Sequence, residues 1–375
     1  MKTSTKGNRK VRYAVVGLGH LAQVAVLPAF RSARNSELVA LISDDPQKRE
    51  KLGRKYGVEK VYSYEEYDEC MAQGVDAVYL VLPNHLHRDY AIRAANAGVH
   101  VLCEKPMAVT EEDCEAMIEA AEASHVKLMI AYRLHFEKAN LEAIRLVESG
   151  KLGEPRFFGS EFAQLVDAEN IRVTMPVEQG GGPVYDMGVY CINAARYLFR
   201  AEPTEVFAFS ANKGEGRFKK TEEMTSVVMC FGADRLATFT CSFGAAPVGQ
   251  YTLAGTKGTL VADPAYEYSE GLSHRVTINE KTKIRKFPKR DQFAAELVYF
   301  SDCILRNKEP EPSGYEGLAD VRIIEAIYKS ARTGRMVVLP ETSKTRRPTK
   351  RQEINRPAHG LPKTVNAKSP SGKAA

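Results

Sequence analysis

Along the first 132 residues, short apolar runs alternate with segments of helical period. Positions 11–16, 37–42, 75–82, 99–103 and 127–132 are too short for buried helices and rich in β-branched residues, so they read as strands. Helical segments follow from the turn at 17–22 to about residue 32, then over 46–56, 86–97 and about 111–124. Gly57 and Gly98 stop two of them, and Thr110-Glu-Glu-Asp113 has the form of a capping box that opens the last. Strands separated by helices of ~10–15 residues predict a parallel sheet of βαβ units.

After a helix at about 137–149 the period changes. Segments 156–166, 204–213, 224–233, 235–244, 250–255 and 258–263 read as strands joined by short turns, with helices at about 184–199, 291–306 and 315–333. This predicts an α+β domain with a largely antiparallel, open sheet. The division is therefore a short arm (1–10), an α/β domain (11–132), an α+β domain (133–340) and a tail (341–375). A chain of 375 residues suits two such domains.

Composition changes the picture little. Apolar residues at 44% and charged residues at 27% are ordinary for a globular protein. No apolar run approaches the ~20 residues of a membrane span. The polar, basic start lacks the apolar core of a secretory signal, which predicts a cytoplasmic protein. The seven cysteines are scattered and never spaced C-x-x-C, so free thiols are expected and no metal site.

Charge distribution excludes more. Residues 1–10 carry +4 and 341–375 carry +7, so the body between them is −5 within a net +6. Basic tails on an acidic body argue against nucleic acid as a partner; the Pro-, Ser-, Lys- and Gly-rich tail is expected to be flexible. The internal basic run 281–290 reads as a solvated strand face or loop.

Gly17-Leu18-Gly19-His20-Leu21-Ala22 lies between the first strand and first helix, the setting required of a dinucleotide fingerprint. The first glycine permits the turn, the second lets the backbone approach a pyrophosphate, and the helix N-terminus attracts it. The first domain is thus expected to be a Rossmann fold. At the end of the second strand, Ser43 with Lys48 or Arg49 would hold a 2′-phosphate, as in NADP. Asp44 or Asp45 would instead bond the ribose of NAD, or simply cap the helix at Pro46. The residues leave NADP and NAD both open. Glu104-Lys105-Pro106 closes the 99–103 run, at the sheet edge where open α/β folds bind ligands.

Taken in order, Gly17-Leu-Gly19, Leu82-Pro83-Asn84-x-x-His87, Glu104-Lys105-Pro106, Ala131-Tyr132-Arg133 and Gly180-Gly-Gly-x-x-x-Asp186-x-x-x-Tyr190 resemble the Gfo/Idh/MocA oxidoreductases over about residues 10–340. The pattern is most similar to the glucose–fructose oxidoreductase branch and its sugar dehydrogenases. The resemblance implies hydride transfer between C1 of an aldose and nicotinamide, with Lys105 and Tyr190 as the acid–base pair and Asp186 beside them. An isolated phenol keeps its proton at neutral pH, so the charge of Lys105 is the expected help. The resemblance implies cofactor contacts from Leu82, Pro83, Asn84, His87, Glu104 and Arg133, and substrate contacts from Tyr132, Arg133, His135 and Arg172. It places Ser43, Lys48 and Tyr64 at the 2′-phosphate, which implies NADP, with NAD or dual use as the alternative. A homodimer or homotetramer through the second sheet is also implied. The branch retains NADP with a long N-terminal arm; about ten residues precede the first strand here, so an exchangeable cofactor is expected. A non-catalytic sugar- or nucleotide-sensing role and a transhydrogenase with tightly bound NADP are the alternatives.

Overall fold

A computed structural model describes residues 9–212, 216–342 and 347–371. Six strands form the first sheet: β1 (Val11–Val16), β2 (Ser36–Ile42), β3 (Lys60–Tyr62), β4 (Ala77–Leu80), β5 (His100–Cys103) and β6 (Leu128–Ile130). They lie in the order β3-β2-β1-β4-β5-β6, all parallel. The order reverses between β1 and β4, so the crevice beyond their carboxyl ends lies beside the glycine turn. Nearly every position of β1, β4 and β5 is buried, which is why these strands read as unbroken apolar runs.

The second sheet has nine strands: β7 (Pro155–Ala163), β8 (Glu205–Ala211), β9 (Met224–Cys230), β10 (Leu236–Ser242), β11 (Val248–Gly255), β12 (Gly258–Ala262), β13 (Leu272–Ile278), β14 (Lys281–Phe287) and β15 (Val337–Val338). Their order is β14-β13-β12-β11-β7-β10-β9-β8-β15, antiparallel except for the central β7–β10 pair. The basic run 281–290 supplies the edge strand β14, whose lysines and arginines stand in solvent. β13 was not read from the sequence, where the buried His274 interrupts its apolar face.

Two late helices tie the sheets together. Gly314–Thr333 packs on β8, β6 and the helix Glu111–Ala123. Gln292–Leu305, counted with the second domain in the sequence, packs on β1 and β2, and Ser301 meets the Tyr13 hydroxyl at 2.9 Å. That helix closes one face of the first sheet, so chain order does not divide the molecule cleanly at residue 132.

The tail, expected to be flexible, makes bonds to the body along its described residues. Among its described residues, Arg347 meets the carboxylates of Glu202 and Glu316, Lys350 meets Glu142 at 2.8 Å, and Gln352 donates to the Glu311 carbonyl at 3.1 Å. Val365 and Pro370 bond to the body further on. Composition marked this segment as unable to form its own core. It docks instead into acidic sockets on the negative body, which composition cannot reveal. Part of the tail (343–346 and 372–375) and residues 1–8 of the expected N-terminal arm lie outside the described residues. No helix among the described residues is long and apolar enough to cross a membrane, and no metal-binding group of side chains occurs among them.

Candidate active site

The glycine turn is built as its sequence requires. Gly17 has φ +91°, and a Cβ there would lie 2.4 Å from the Val81 carbonyl oxygen. Gly19 differs: nothing lies within 4 Å of a Cβ built on it, which is the open approach a pyrophosphate needs. The neighbouring His20 buries Nδ1 with no hydrogen-bond partner among the described residues, and burial followed by nearby Arg172 pushes its pKa down. A neutral, unsatisfied ring nitrogen beside open backbone fits a polar ligand at this turn. Gln23 was not singled out from the sequence; its amide donates to the Leu18 carbonyl at 2.9 Å and braces the turn.

At the end of β2, Ser43 is buried, and its hydroxyl accepts from the Asp45 backbone N–H at 3.3 Å. The two aspartates that made the cofactor ambiguous both face backbone. Asp44 accepts from the Tyr64 N–H at 3.0 Å, while Asp45 caps the helix Pro46–Tyr56 by accepting from Gln47 and Lys48. Lys48 lies 4.0 Å from Asp45. Tyr64 packs edge-on against Tyr90, and burial followed by Asp44 pushes its phenol up to about 12.

After β4, Leu82 packs under Gly17 and Pro83 opens the turn Asn84–Leu86. Asn84 donates to the Gly180 carbonyl at 2.8 Å, linking the cofactor side to the glycine loop of the other unit. His87 is fully buried, with Nε2 3.0 Å from the Leu82 carbonyl and Nδ1 3.1 Å from that of Pro106. It pins two strand ends together. Burial outweighs those carbonyls and lowers its pKa to about 4.

Lys105 stands at the edge of β5 and reaches across to the second unit. Its Nζ donates to the Asp186 carbonyl at 2.8 Å and to Asp186 Oδ1 at 3.2 Å. It also lies 4.5 Å from the centroid of the Tyr190 ring. Asp186 belongs to the wide turn Val184–Gly188 that opens the helix Val189–Phe199, so both residues present to one crevice. Burial alone would push the Asp186 carboxyl up; Arg172, 2.9 Å away, and Lys105 outweigh it and hold it below the usual range. Arg172 therefore joins this cluster despite the Met175-Pro176 that follows it.

The remaining expected residues divide. Arg133 is buried, bonds Gln292 and the Tyr266 carbonyl, and places its guanidinium 5.0 Å from the Tyr190 ring. Tyr132 lines the crevice, whereas His135 lies behind it with both ring nitrogens used, on Glu311 at 2.9 Å and Asn193 at 2.8 Å. His135 stacks on Tyr132 and supports it, and has no nitrogen left for a substrate. Glu104 points away from the crevice: Tyr79 donates to it at 2.8 Å, and the same hydroxyl reaches Glu296 at 3.3 Å. Burial raises both carboxyls, with Lys105 opposing the effect at Glu104. Glu296 and Gln292 come from the late helix, and only tertiary packing brings them here. The crevice itself is lined by Lys105, Ala131, Tyr132, Arg133, Tyr190 and Asn193.

Residues 11–132 match the oxidoreductase family with an NAD-binding Rossmann fold, and residues 140–261 match the GFO/IDH/MocA C-terminal domain. The chain belongs to the Gfo/Idh/MocA oxidoreductases. It is 31% identical over 336 residues to D-xylose 1-dehydrogenase [NADP(+)] of Haloarcula marismortui, covering 88% of this chain and 93% of that one. It is similar to the crystal structure of aldose-aldose oxidoreductase from Caulobacter crescentus complexed with glycerol, at 39% identity and a TM-score of 0.84, covering 88% of this chain and all of that one. A 3-ketoreductase from Actinomadura kijaniata, in complex with NADP and TDP-benzene, shares the fold at 23% identity and a TM-score of 0.78, over 86% of this chain and 98% of that one.

Proposed function

We propose that the protein is an NADP-dependent sugar oxidoreductase that exchanges hydride between C1 of an aldose and the cofactor. The observation that carries this is the meeting of Lys105, from the dinucleotide side, with Asp186 and Tyr190 in one small crevice. The likeness to NADP-dependent D-xylose 1-dehydrogenase supports the substrate class. Bound NADP would supply the hydride acceptor. Tyr190 is the proposed acceptor of the anomeric hydroxyl's proton, with the Lys105 ammonium and the Arg133 guanidinium over its ring. Asp186 aims the Lys105 ammonium and is itself anchored by Arg172. Loss of the hydroxyl proton and of hydride from C1 leaves a lactone.

NADP is favoured over NAD because Asp44 and Asp45 are engaged by backbone N–H groups, which leaves Ser43 and Lys48 to meet a 2′-phosphate. The test is absorbance at 340 nm with a panel of aldoses and each cofactor. Aldose-dependent reduction of NADP supports the reading; a clear preference for NAD overturns the assignment of Ser43 and Lys48. A second reading is oxidation of one aldose and reduction of another on the same bound cofactor, favoured by the likeness to aldose-aldose oxidoreductase. It requires nucleotide to stay with the protein through gel filtration.

We place the protein in the cytoplasm, on the strength of its unpaired and mostly buried cysteines. Phe157, Phe207, Phe209, Val228 and Leu236 share the outer face of β7–β10, and Phe157, Phe209 and Leu236 are about half exposed or more. This face is the proposed homo-oligomer surface. Light scattering that returns a monomer at micromolar concentration contradicts it.

A further inference from the structure

The described end of the chain, residues 361–371, runs between the two units beside the glycine turn. Val365 is held by both ends of the Gln23 amide: its N–H donates to Gln23 Oε1 at 2.7 Å, and its carbonyl accepts from Gln23 Nε2 at 2.9 Å. The same Nε2 donates to the Leu18 carbonyl, so one side chain joins this segment to the turn. Asn366 comes next, with φ +47°, a left-handed conformation that asparagine tolerates better than most residues. Its amide donates to Asp45 Oδ2 at 3.0 Å and to Gln47 Oε1 at 3.3 Å, at the helix start just beyond Ser43. The segment then leaves the first unit. The Pro370 carbonyl accepts from the Asp167 N–H at 2.8 Å, five residues before Arg172.

Those three anchors mark out a path. Gln23 lies at the pyrophosphate end of a Rossmann site, and Asp45 lies at the adenosine ribose end. Asp167 belongs to the opposite wall of the cleft. We propose that residues 361–371 form a strap across the adenosine end of the dinucleotide cleft, with Asn366 as a specificity-determining residue that ties down Asp45 and slows release of NADP. This rests on the reading of the site as an NADP site.

The chemistry of Asn366 explains its place. The Asn366 amide holds one Asp45 oxygen, so the carboxylate stays ionised but is kept turned toward the helix start and the strap. The Asp45 carboxyl is held low, first by that amide and also by the Lys48 and Gln47 N–H groups, with burial opposing them. Gln47 is held by the same amide. The expectation of an exchangeable cofactor rested on a short N-terminal arm, but the strap comes from the other end of the chain. The ion pair of Lys368 with Glu169, at 3.6 Å, is solvent-exposed and adds little.

The test is the rate of NADPH release, followed by nucleotide fluorescence in a chase with excess NADP. It compares the full chain, a chain stopped after Gly360, and Asn366→Asp. Removal of the strap is expected to speed release by roughly tenfold or more, since affinity changes fall mainly on dissociation. Asn366→Asp, which sets two carboxylates side by side, is expected to weaken NADP several-fold more than NAD. Thermal melting keeps folding separate from binding, and Asn366→Asp retains the signal if the shortened chain unfolds. Release rates within twofold of the full chain, from folded variants and with no shift in the NADP-to-NAD ratio, overturn the strap alone. A full chain that binds neither nucleotide overturns both the strap and the cofactor reading beneath it.

Discussion

The two ends of the dinucleotide cleft are built in opposite ways. At the proposed nicotinamide end, Lys105, Asp186 and Tyr190 come from short ordered motifs on rigid strand and helix ends, and Lys105 meets both of the others. At the adenosine end, the enclosing pieces are Gln23, Asp45 and a segment more than 300 residues away that has almost no regular structure. The first end is the proposed site of chemistry, where small errors in position are costly. The second is the proposed site of retention, where many modest bonds suffice. Substitutions at the two ends should therefore fail differently.

The largest effects belong to the nicotinamide end. Lys105→Met and Tyr190→Phe are each expected to lower kcat/KM for an aldose by about 10²–10⁴-fold while nucleotide binding persists. Steady-state rates with a fluorescence titration of NADPH check this, and unchanged turnover in both variants removes the acid–base pair from the account. Next comes Asp186→Asn, which loosens Lys105 and Arg172 without touching the cofactor turn. A fall of about 10²-fold in kcat is expected, through misplacement of the lysine. An equal fall in Arg172→Ala would show that the whole cluster acts as one unit.

The glycine turn offers a sharper contrast inside a single motif. Gly17→Ala meets the Val81 carbonyl in a left-handed position and is expected to destabilise the fold by about 1–3 kcal/mol. Gly19→Ala meets nothing in the protein, so melting should be unchanged while NADPH affinity drops about tenfold or more. Equal melting losses in both would mean that Gly19 is structural too.

The effect furthest from the chemistry is a pH dependence of stability. His87 is buried with a pKa near 4, whereas an unfolded histidine titrates near 6.5. Between those values the unfolded chain binds a proton that the folded one does not, so stability falls as pH drops through that window. His87 contributes about 2–3 kcal/mol to that loss. Urea unfolding at pH 7 and pH 4.5 should show a smaller difference for His87→Gln than for wild type; identical differences would mean that His87 does not titrate there.

What the sequence disclosed follows the same division. The glycine turn and Lys105 were legible because each sits at the end of a strand whose local pattern announces it, whereas Asp186 and Tyr190 stood out only through the family resemblance. Even the ambiguity at Ser43-Asp44-Asp45 was visible, though its resolution needed the backbone N–H groups that the two aspartates face. His135 and Glu104 carried the right motifs but were turned into the core, which spacing alone does not report. Gln292 and Glu296 were hidden because their helix lies far along the chain and packs on the first sheet only after folding. The strap was the most hidden: its lysines, prolines and serines read as a solvated tail, and its order comes wholly from the surface it meets.

One measurement reaches the central claim without passing through mutants. An aldose carrying deuterium at C1 is oxidised with NADP, and the recovered nucleotide is weighed by mass spectrometry. The account predicts NADPH one mass unit heavier, because the label travels from C1 directly to the nicotinamide. Unlabelled NADPH formed from fully labelled sugar would contradict it.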